Sequence, residues 1–390
     1  MVQFLLETMN TTKTPRREEI RHTGKFLLPI CRSASLPALC LGVLVVNFLG
    51  LAGVAAARSK ANPAEPVMVP ELELTGGRRL RYEGSFSSEK EVKTKHSIWG
   101  RLLDAVAGEP EFHALIAPYS VVTDSRDRII VTDPGASGIH IFDFERHKYK
   151  FISRQKDTDG LESPQCVTVD AADNIYVTDS YSGKIFVFDA SGKFQRVIGS
   201  VKGEGYFKRA TGIAVDPQAQ RIYVTDTLRH QIFVVDMQGK VLQRIGGVGA
   251  SPGQFNFPTE LRLQGDDLYV VDAMNFRVQV LDRSGKFKYA LGQVGEGLGE
   301  MFRPKGIAVD SEGHLYVVEG LSGLVQVFDR QGRLLYYFGQ KGTGFGEFQL
   351  PAGLFIDRKD RVYVVDYYNR RVQVFQYFAQ HSAEGGQVDR

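Results

Sequence analysis

A chain of 390 residues is long enough for one large domain or two ordinary ones, and its 43% hydrophobic content is typical of a globular protein. Residues 1–57 carry six Lys and Arg against three Glu, which accounts for the whole formal net charge of +3 and leaves the remainder neutral. A neutral body has no overall field to attract nucleic acid or anionic lipid, so neither is expected as its partner. Beyond residue 57 the only cysteine is Cys166, which excludes an intramolecular disulfide there, and no Cys-x-x-Cys motif is present.

The N-terminal region predicts export. Residues 36–57, "LPALCLGVLVVNFLGLAGVAAA", form an apolar run that follows a basic stretch and ends in small residues. This pattern fits a cleaved signal peptide, and its length also fits a retained membrane anchor. Either interpretation of residues 1–57 predicts a body that is periplasmic, extracellular or held at the inner membrane, with membrane contact only through residues 36–57. Residues 58–78 begin with the Pro-rich "RSKANPAEPVMVP", which is typical of a tether.

Two predicted elements precede a long repeat. The stretch "RLRYEG" at Arg79–Gly84 is similar to "RLLYYFG" at Arg333–Gly339, which lies within the repeat and is predicted to be a strand. Apolar residues recur at helical spacing in "SIWGRLLDAVAGE", residues 97–109, and predict a short amphipathic helix lying over one face of the folded body. This helix is interpreted either as a plug for that face or as a partner-binding element.

A short phrase recurs at a fixed interval through the rest of the chain. An acidic residue ends each copy of a "YVxD"-like run, and successive copies are 46 or 47 residues apart. These residues are Asp133, Asp179, Asp226, Asp272, Glu319 and Asp366. A fixed period of this length, present six times, is the sequence signature of a repeat architecture.

Each unit reads as four short strands. Three clear apolar runs of four to six residues and a weaker fourth, rich in Val, Ile, Tyr and Phe, are separated by Gly-containing turns. The predicted fold class is therefore all-β, a six-bladed β-propeller in which stacked sheets cover both faces of each blade. The sixth unit lacks a fourth strand, and Arg79–Gly84 is expected to supply it and close the ring, which would hide an exposed sheet edge.

The repeating acidic residue is interpreted as architectural. It ends the second strand, where a carboxylate can accept backbone N–H groups in the turn that follows. Five residues later a cation opens the third strand in three units, as Lys184, Arg277 and Arg371. An acidic–basic pair across the turn would hold this hairpin together.

The phrase "P.GIAVD..G.LYVVD..N.RVQVFD..GK" resembles the NHL repeat, most closely at residues 304–310 and 351–375. The resemblance covers residues 79–378 and implies a six-bladed ring, with residues 379–390 left as a polar tail. It does not imply one activity, because NHL-like propellers include protein- and RNA-binding domains and metal-dependent amidating lyases, and sugar lactonases share a similar ring. The chain looks most like exported bacterial members, whose general role is binding.

In such a ring the loop after the second strand and the loop between blades share one face, and both are rich in Arg and aromatic residues. Phe302 and Phe348 are expected to pack against a neighbouring blade, because "GEMFRP" and "GEFQLP" repeat. Residues at mostly non-repeating positions are better candidates for recognition, since a repeated residue usually serves the fold. The candidate ligand-binding residues are Lys208, Arg209, Arg229, His230, Phe276, Tyr367 and Arg370.

These patterns favour an exported, non-catalytic scaffold that binds a protein or polymer partner of the cell envelope. The alternative is a metal-dependent lyase or lactone hydrolase with the metal in the central channel. The histidines occupy different positions within their units, so a three-His zinc site is not expected, and nothing marks a calcium site beyond the repeating acidic residue. No cofactor is predicted, with Ca or Zn as the candidates if the protein is an enzyme.

Overall fold

The computed structural model describes residues 71–74, 77–93, 112–153, 160–201 and 204–379. The predicted signal or anchor at residues 1–57, the helix predicted at residues 97–109 and residues 380–390 of the predicted tail lie outside the described residues. Within the ranges given, no helix combines the length and the hydropathy that crossing a membrane requires.

The strands group into six sheets, called blades 1 to 6. Strands β1 (Glu71–Glu73) and β2 (Arg79–Phe86) come first. Blade 1 contains β3 (Ser120–Thr123), β4 (Ile129–Asp133), β5 (Gly138–Asp143) and β6 (Lys148–Ile152). Blade 2 contains β7 (Pro164–Val169), β8 (Ile175–Asp179), β9 (Lys184–Phe188) and β10 (Phe194–Ile198). A two-stranded hairpin, β11 (Ser200–Val201) and β12 (Glu204–Gly205), follows it.

The other blades repeat this arrangement. Blade 3 contains β13 (Ala210–Asp216), β14 (Arg221–Asp226), β15 (Gln231–Asp236) and β16 (Val241–Ile245). Blade 4 contains β17 (Pro258–Gln264), β18 (Asp267–Asp272), β19 (Arg277–Asp282) and β20 (Phe287–Leu291). Blade 5 contains β21 (Pro304–Val309), β22 (Leu315–Glu319), β23 (Leu324–Phe328) and β24 (Leu334–Phe338). Blade 6 begins with β25 (Leu354–Ile356), β26 (Arg361–Asp366) and β27 (Arg371–Phe378). Short 3-10 helices lie at Glu89–Glu91, Pro134–Ala136, Thr227–Arg229 and Ala273–Asn275.

The blades are arranged as a ring. Within blades 1 to 5 the strands pair antiparallel in chain order, and the first strand of each blade contacts the first strand of the next, including β25 of blade 6 against β3 of blade 1. The first strands therefore surround a central channel. The fold predicted from the repeat, a six-bladed β-propeller, is confirmed.

The N-terminal strand closes the ring, as predicted. Strand β2 pairs antiparallel with β27, from Arg79 opposite Phe378 to Phe86 opposite Val372. Its buried residues alternate, because Leu80 and Tyr82 face the core while their neighbours face solvent. Strand β1 adds a fifth strand outside β2. Its residues lie in the range 58–78 interpreted as a tether, so the interpretation is wrong for Glu71–Glu73, and residues 58–70 lie outside the described residues.

The hydrophobic core is divided among the interfaces between blades. Within the described residues there are six buried clusters, and each combines side chains from two neighbouring blades, including blade 6 with blade 1. A large residue just before each of four blades anchors an interface. These anchors are Phe207, Phe255, Met301 and Phe348, all at most 3% exposed.

Phe348 is buried between blades 5 and 6 as predicted, whereas Phe302 stacks on Phe276 of the neighbouring blade 4 without being buried. Phe302 is 42% exposed, because the residue that corresponds to Phe348 in the repeat is Met301. A glycine faces the anchor in each case. At Gly339 (φ +90°) a Cβ atom would clash with the ring of Phe348, so the backbone conformation and the lack of a side chain are both required there.

Candidate binding site on the loop face and at the channel mouth

The six acidic residues at the ends of the second strands hold two loops together. Asp226 accepts the backbone N–H groups of Lys208 (2.9 Å) and Arg209 (3.1 Å), and Asp133 accepts those of Ile116 (2.6 Å) and Ala117 (2.9 Å). These donors precede the first strand of the same blade, whereas the sequence pointed only to the turn after the second strand. The carboxylates therefore fasten the inter-blade loops to the blades.

The expected pairs across the turn occur in blades 4 and 6. Asp272 accepts a hydrogen bond from Arg277 (2.9 Å), and Asp366 accepts one from Arg371 (2.8 Å). Blade 5 has no cation at this position, and within the described part of the chain the Glu319 carboxylate accepts only the N–H groups of Phe302 (3.3 Å) and Arg303 (3.0 Å). Burial, only partly offset by these two hydrogen bonds, raises the pKa of Glu319 to about 7.

Both kinds of loop lie on one face, which we call the loop face. In blades 2 to 6 a residue one or two positions after the acidic residue donates its N–H to a carbonyl group of the loop that enters the blade, as in Thr227 to Arg209 (3.0 Å) and Met274 to Asn256 (3.0 Å). This repeated bond brings the two loops side by side. The turns between first and second strands and between third and fourth strands lie on the opposite face.

Two of the predicted binding residues already form hydrogen bonds within the loop face. The guanidinium of Arg229 donates to the carbonyl of Tyr206 (2.8 Å) and to Asp226 (3.1 Å), and it lies over the ring of Tyr206. His230 has a left-handed backbone (φ 54°), and its Nδ1 accepts the N–H of Phe257 (3.1 Å). Substituting either residue would disturb the loop face itself.

The other predicted residues do not all converge. Phe276 stacks on Phe302 at the edge of the loop face, with ring centroids 5.9 Å apart. Lys208 and Arg370 are exposed in their loops. Arg209 and Tyr367 lie toward the channel, close to Lys305 and in the lining of a cavity, respectively.

A cavity of about 290 Å³ opens at the channel mouth on the loop face. Blades 1, 2, 5 and 6 contribute to its lining. Residues that line it include Tyr119, Gln165, Arg303, Lys305, Pro351 and Tyr367. Burial lowers the pKa of Lys305, and the nearby charges of Arg303 and Arg209 lower it further. The mouth is thus a small cationic cavity.

A buried ion pair lies deeper, on the first strand of blade 4. Glu260 and Arg262 are 3.1 Å apart, and Arg262 also donates to the carbonyl groups of Ile307 (3.2 Å) and Leu354 (2.8 Å). One side chain therefore links blade 4 to blades 5 and 6, and it lines a second cavity of about 210 Å³. The sequence contained a signal for this pair, because "PTELRLQ" places an acidic and a basic residue two positions apart in one first strand.

Aromatic and aliphatic side chains are exposed around the mouth. Every blade contributes at least one large apolar residue to the loop face. These residues are Ile116, Tyr181, Leu228, Phe257, Met274, Phe302, Leu350, Tyr367 and Tyr368. Among the described residues, no group of three or more His, Cys, Asp or Glu is placed to hold a metal ion.

Fold and repeats together define the chain as a six-bladed β-propeller built from NHL-like repeats. Residues 161–223, 214–274 and 258–323 match a family described as 6-bladed beta-propeller, and residues 348–375 match the NHL repeat. No curated protein matches the chain.

The chain is similar in fold to several solved structures. A gluconolactonase from Xanthomonas campestris is 15% identical with a TM-score of 0.54, over 78% of this chain and 92% of that one. An auxiliary nutrient binding protein from Bacteroides thetaiotaomicron is 14% identical with a TM-score of 0.52, over 67% and 69%. A virginiamycin B lyase from Staphylococcus aureus is 14% identical with a TM-score of 0.49, over 67% and 94%. Identities this low show the shared fold alone.

Proposed function

We propose that the protein is an exported binding propeller that recognises a protein or polymer partner of the cell envelope across the loop face. The observation that supports this most is the ring of exposed apolar side chains, to which every blade contributes. Contiguous apolar surface on a soluble domain marks interaction sites, and exposed aromatic residues are enriched at the centres of interfaces. The basic, apolar leader supports export, and the neutral charge of the remaining chain gives no reason to expect nucleic acid as the partner.

The test is capture of an envelope partner by immobilised protein. Tyr181→Ala combined with Tyr368→Ala removes two rings that are 75% and 65% exposed. Among the described residues, neither side chain forms a hydrogen bond or a ring contact with another side chain. We expect this double variant to lose the captured partner, because it removes apolar contact area without touching the bonds that fasten the loops. Arg229 and His230 are unsuitable for this test, since both hold the loop face together.

The control removes similar apolar surface elsewhere. Leu242 and Tyr337 are 47% and 44% exposed on the outer strands of blades 3 and 5. The double variant Leu242→Ala with Tyr337→Ala should therefore still capture the envelope partner. If the loop-face variant captures the partner as well as the unchanged protein does, the loop face is not the binding surface.

A further inference from the structure

Among the described residues, the cations at the channel mouth have no acidic partner, in contrast to three arginines of the loop face. Arg277, Arg371 and Arg229 each pair with the acidic residue of their own blade. By contrast, among the described residues the side chains of Arg209, Arg303 and Lys305 form no ion pair. Like charges held close together destabilise the free protein, and an anion bound between them would relieve that repulsion.

The size of the cavity limits what the anion can be. A volume of about 290 Å³ is at the lower end of small-molecule sites, so it accommodates one ring rather than an extended ligand. Tyr119 and Tyr367 offer flat apolar surfaces, and the amide of Gln165 can donate to and accept from hydroxyl groups. Burial raises the pKa of Tyr119, and its neutral phenol can donate a hydrogen bond.

The lining favours a carboxylate over a phosphate. Phosphate sites are commonly built from free backbone N–H groups. Here the N–H groups of Tyr119, Gly320 and Ala352 already donate to carbonyl groups, and Pro134 and Pro351 have none to donate. The mouth therefore offers side-chain cations rather than backbone N–H groups. The guanidinium of Arg303 has two N–H groups that can bind the two oxygens of a carboxylate.

We propose that the channel mouth binds the carboxylate of an acidic sugar. Lys305 and Arg303 contact the carboxylate, Arg209 adds a long-range attraction, and the sugar ring lies against Tyr119 and Tyr367. The proposal rests on the proposed function in taking the loop face as the binding face, and it adds the chemical class of the group that enters the channel.

The test compares galacturonate with galactose, which differ at the carboxylate, by isothermal titration of the full chain. Galacturonate should bind and galactose should not, and raising the salt concentration should weaken binding. Lys305→Met keeps the length and apolar character of the side chain and should weaken galacturonate binding by at least about tenfold, the typical loss for a charge-assisted hydrogen bond. Lys240→Met removes the same charge from an exposed turn on the opposite face and should leave binding unchanged.

Several outcomes would overturn the proposal. These are equal binding of both sugars, no binding of either, equal loss in the Lys240 variant, and inorganic phosphate binding as tightly as galacturonate, which would indicate a simple anion site. If circular dichroism shows that the Lys305 variant is unfolded, Arg303→Gln replaces it with the same expected loss. Envelope capture is measured separately with the Tyr181 and Tyr368 variants, so failure of the sugar site and failure of the binding face are distinguishable.

Discussion

Glu260 occupies a position at which the other blades have Ser, Cys or Gly. It is 5% exposed and pairs with Arg262, yet burial outweighs this partner and raises the pKa of Glu260 from 4.5 to about 7. Between these two pH values the folded state binds more protons at this position than the unfolded state does. The contribution of Glu260 to the free energy of unfolding therefore falls as the pH rises from about 4.5 to 7.

Glu260→Gln should remove this pH dependence. We expect the variant to gain stability relative to the unchanged protein as the pH rises from 5 to 8, by up to about 3 kcal/mol. Arg262 retains its bonds to the carbonyl groups of Ile307 and Leu354 in the variant. Urea denaturation at pH 5 and pH 8 measures the difference. Glu319 titrates in the same range and contributes equally to both proteins, so it cancels.

Glu145→Gln serves as the control, because it removes the same charge from a side chain that is 73% exposed. Its stability should stay parallel to that of the unchanged protein at every pH. If the free energy of unfolding of Glu260→Gln also stays parallel to that of the unchanged protein, Glu260 is ionised in both the folded and the unfolded state across this pH range.

At the level of elements, the ring depends on a strand that comes from far away in the sequence. Strand β2 carries Leu80 and Tyr82 into the same cluster as Phe338 of blade 5 and Phe375 of blade 6. Without it, β27 would present an unpaired edge, and such edges recruit strands from other molecules. Strand β1, by contrast, is exposed along its whole length.

Deleting Arg79–Phe86 should abolish a single cooperative melting transition or cause polymerisation, because both the edge pairing and the buried contacts are lost. Deleting only Glu71–Glu73 should leave a monomer with nearly unchanged melting. Size-exclusion chromatography and calorimetry distinguish these results. A monomeric Arg79–Phe86 deletion that melts normally would show that ring closure does not stabilise the fold.

The strands were predictable from the sequence because every unit repeats the same pattern of apolar runs. The closing strand was found because "RLRYEG" is similar to the fourth strand of blade 5. The cationic mouth was not found, because it combines loop ends that are far apart in sequence, such as Arg209 and Arg303, and only ring geometry brings them together. Arg229 is among the candidate ligand-binding residues, but the sequence could not show that its side chain already bonds to Asp226 and to the carbonyl of Tyr206.

Over the whole molecule, stability is shared among interfaces between blades rather than concentrated in one core. Each interface has its own buried cluster, and a closed ring cannot lose one interface without straining the others. Met301 and Phe302 test this directly, since they are adjacent but only Met301 is buried in the cluster between blades 4 and 5.

Met301→Ala should lower the free energy of unfolding by about 2–5 kcal/mol, as expected for a buried methionine that leaves a cavity. Phe302→Ala removes a larger side chain but should change stability by only about 0.5 kcal/mol, because the ring is exposed and contacts mainly Phe276. Because every cluster is shared between two blades, we expect the ring to unfold as a unit, so the Met301 variant should still melt in one calorimetric transition, shifted to lower temperature. Two separate transitions would show that blades unfold independently, and a larger loss in the Phe302 variant would contradict the assignment of Met301 as the interface anchor.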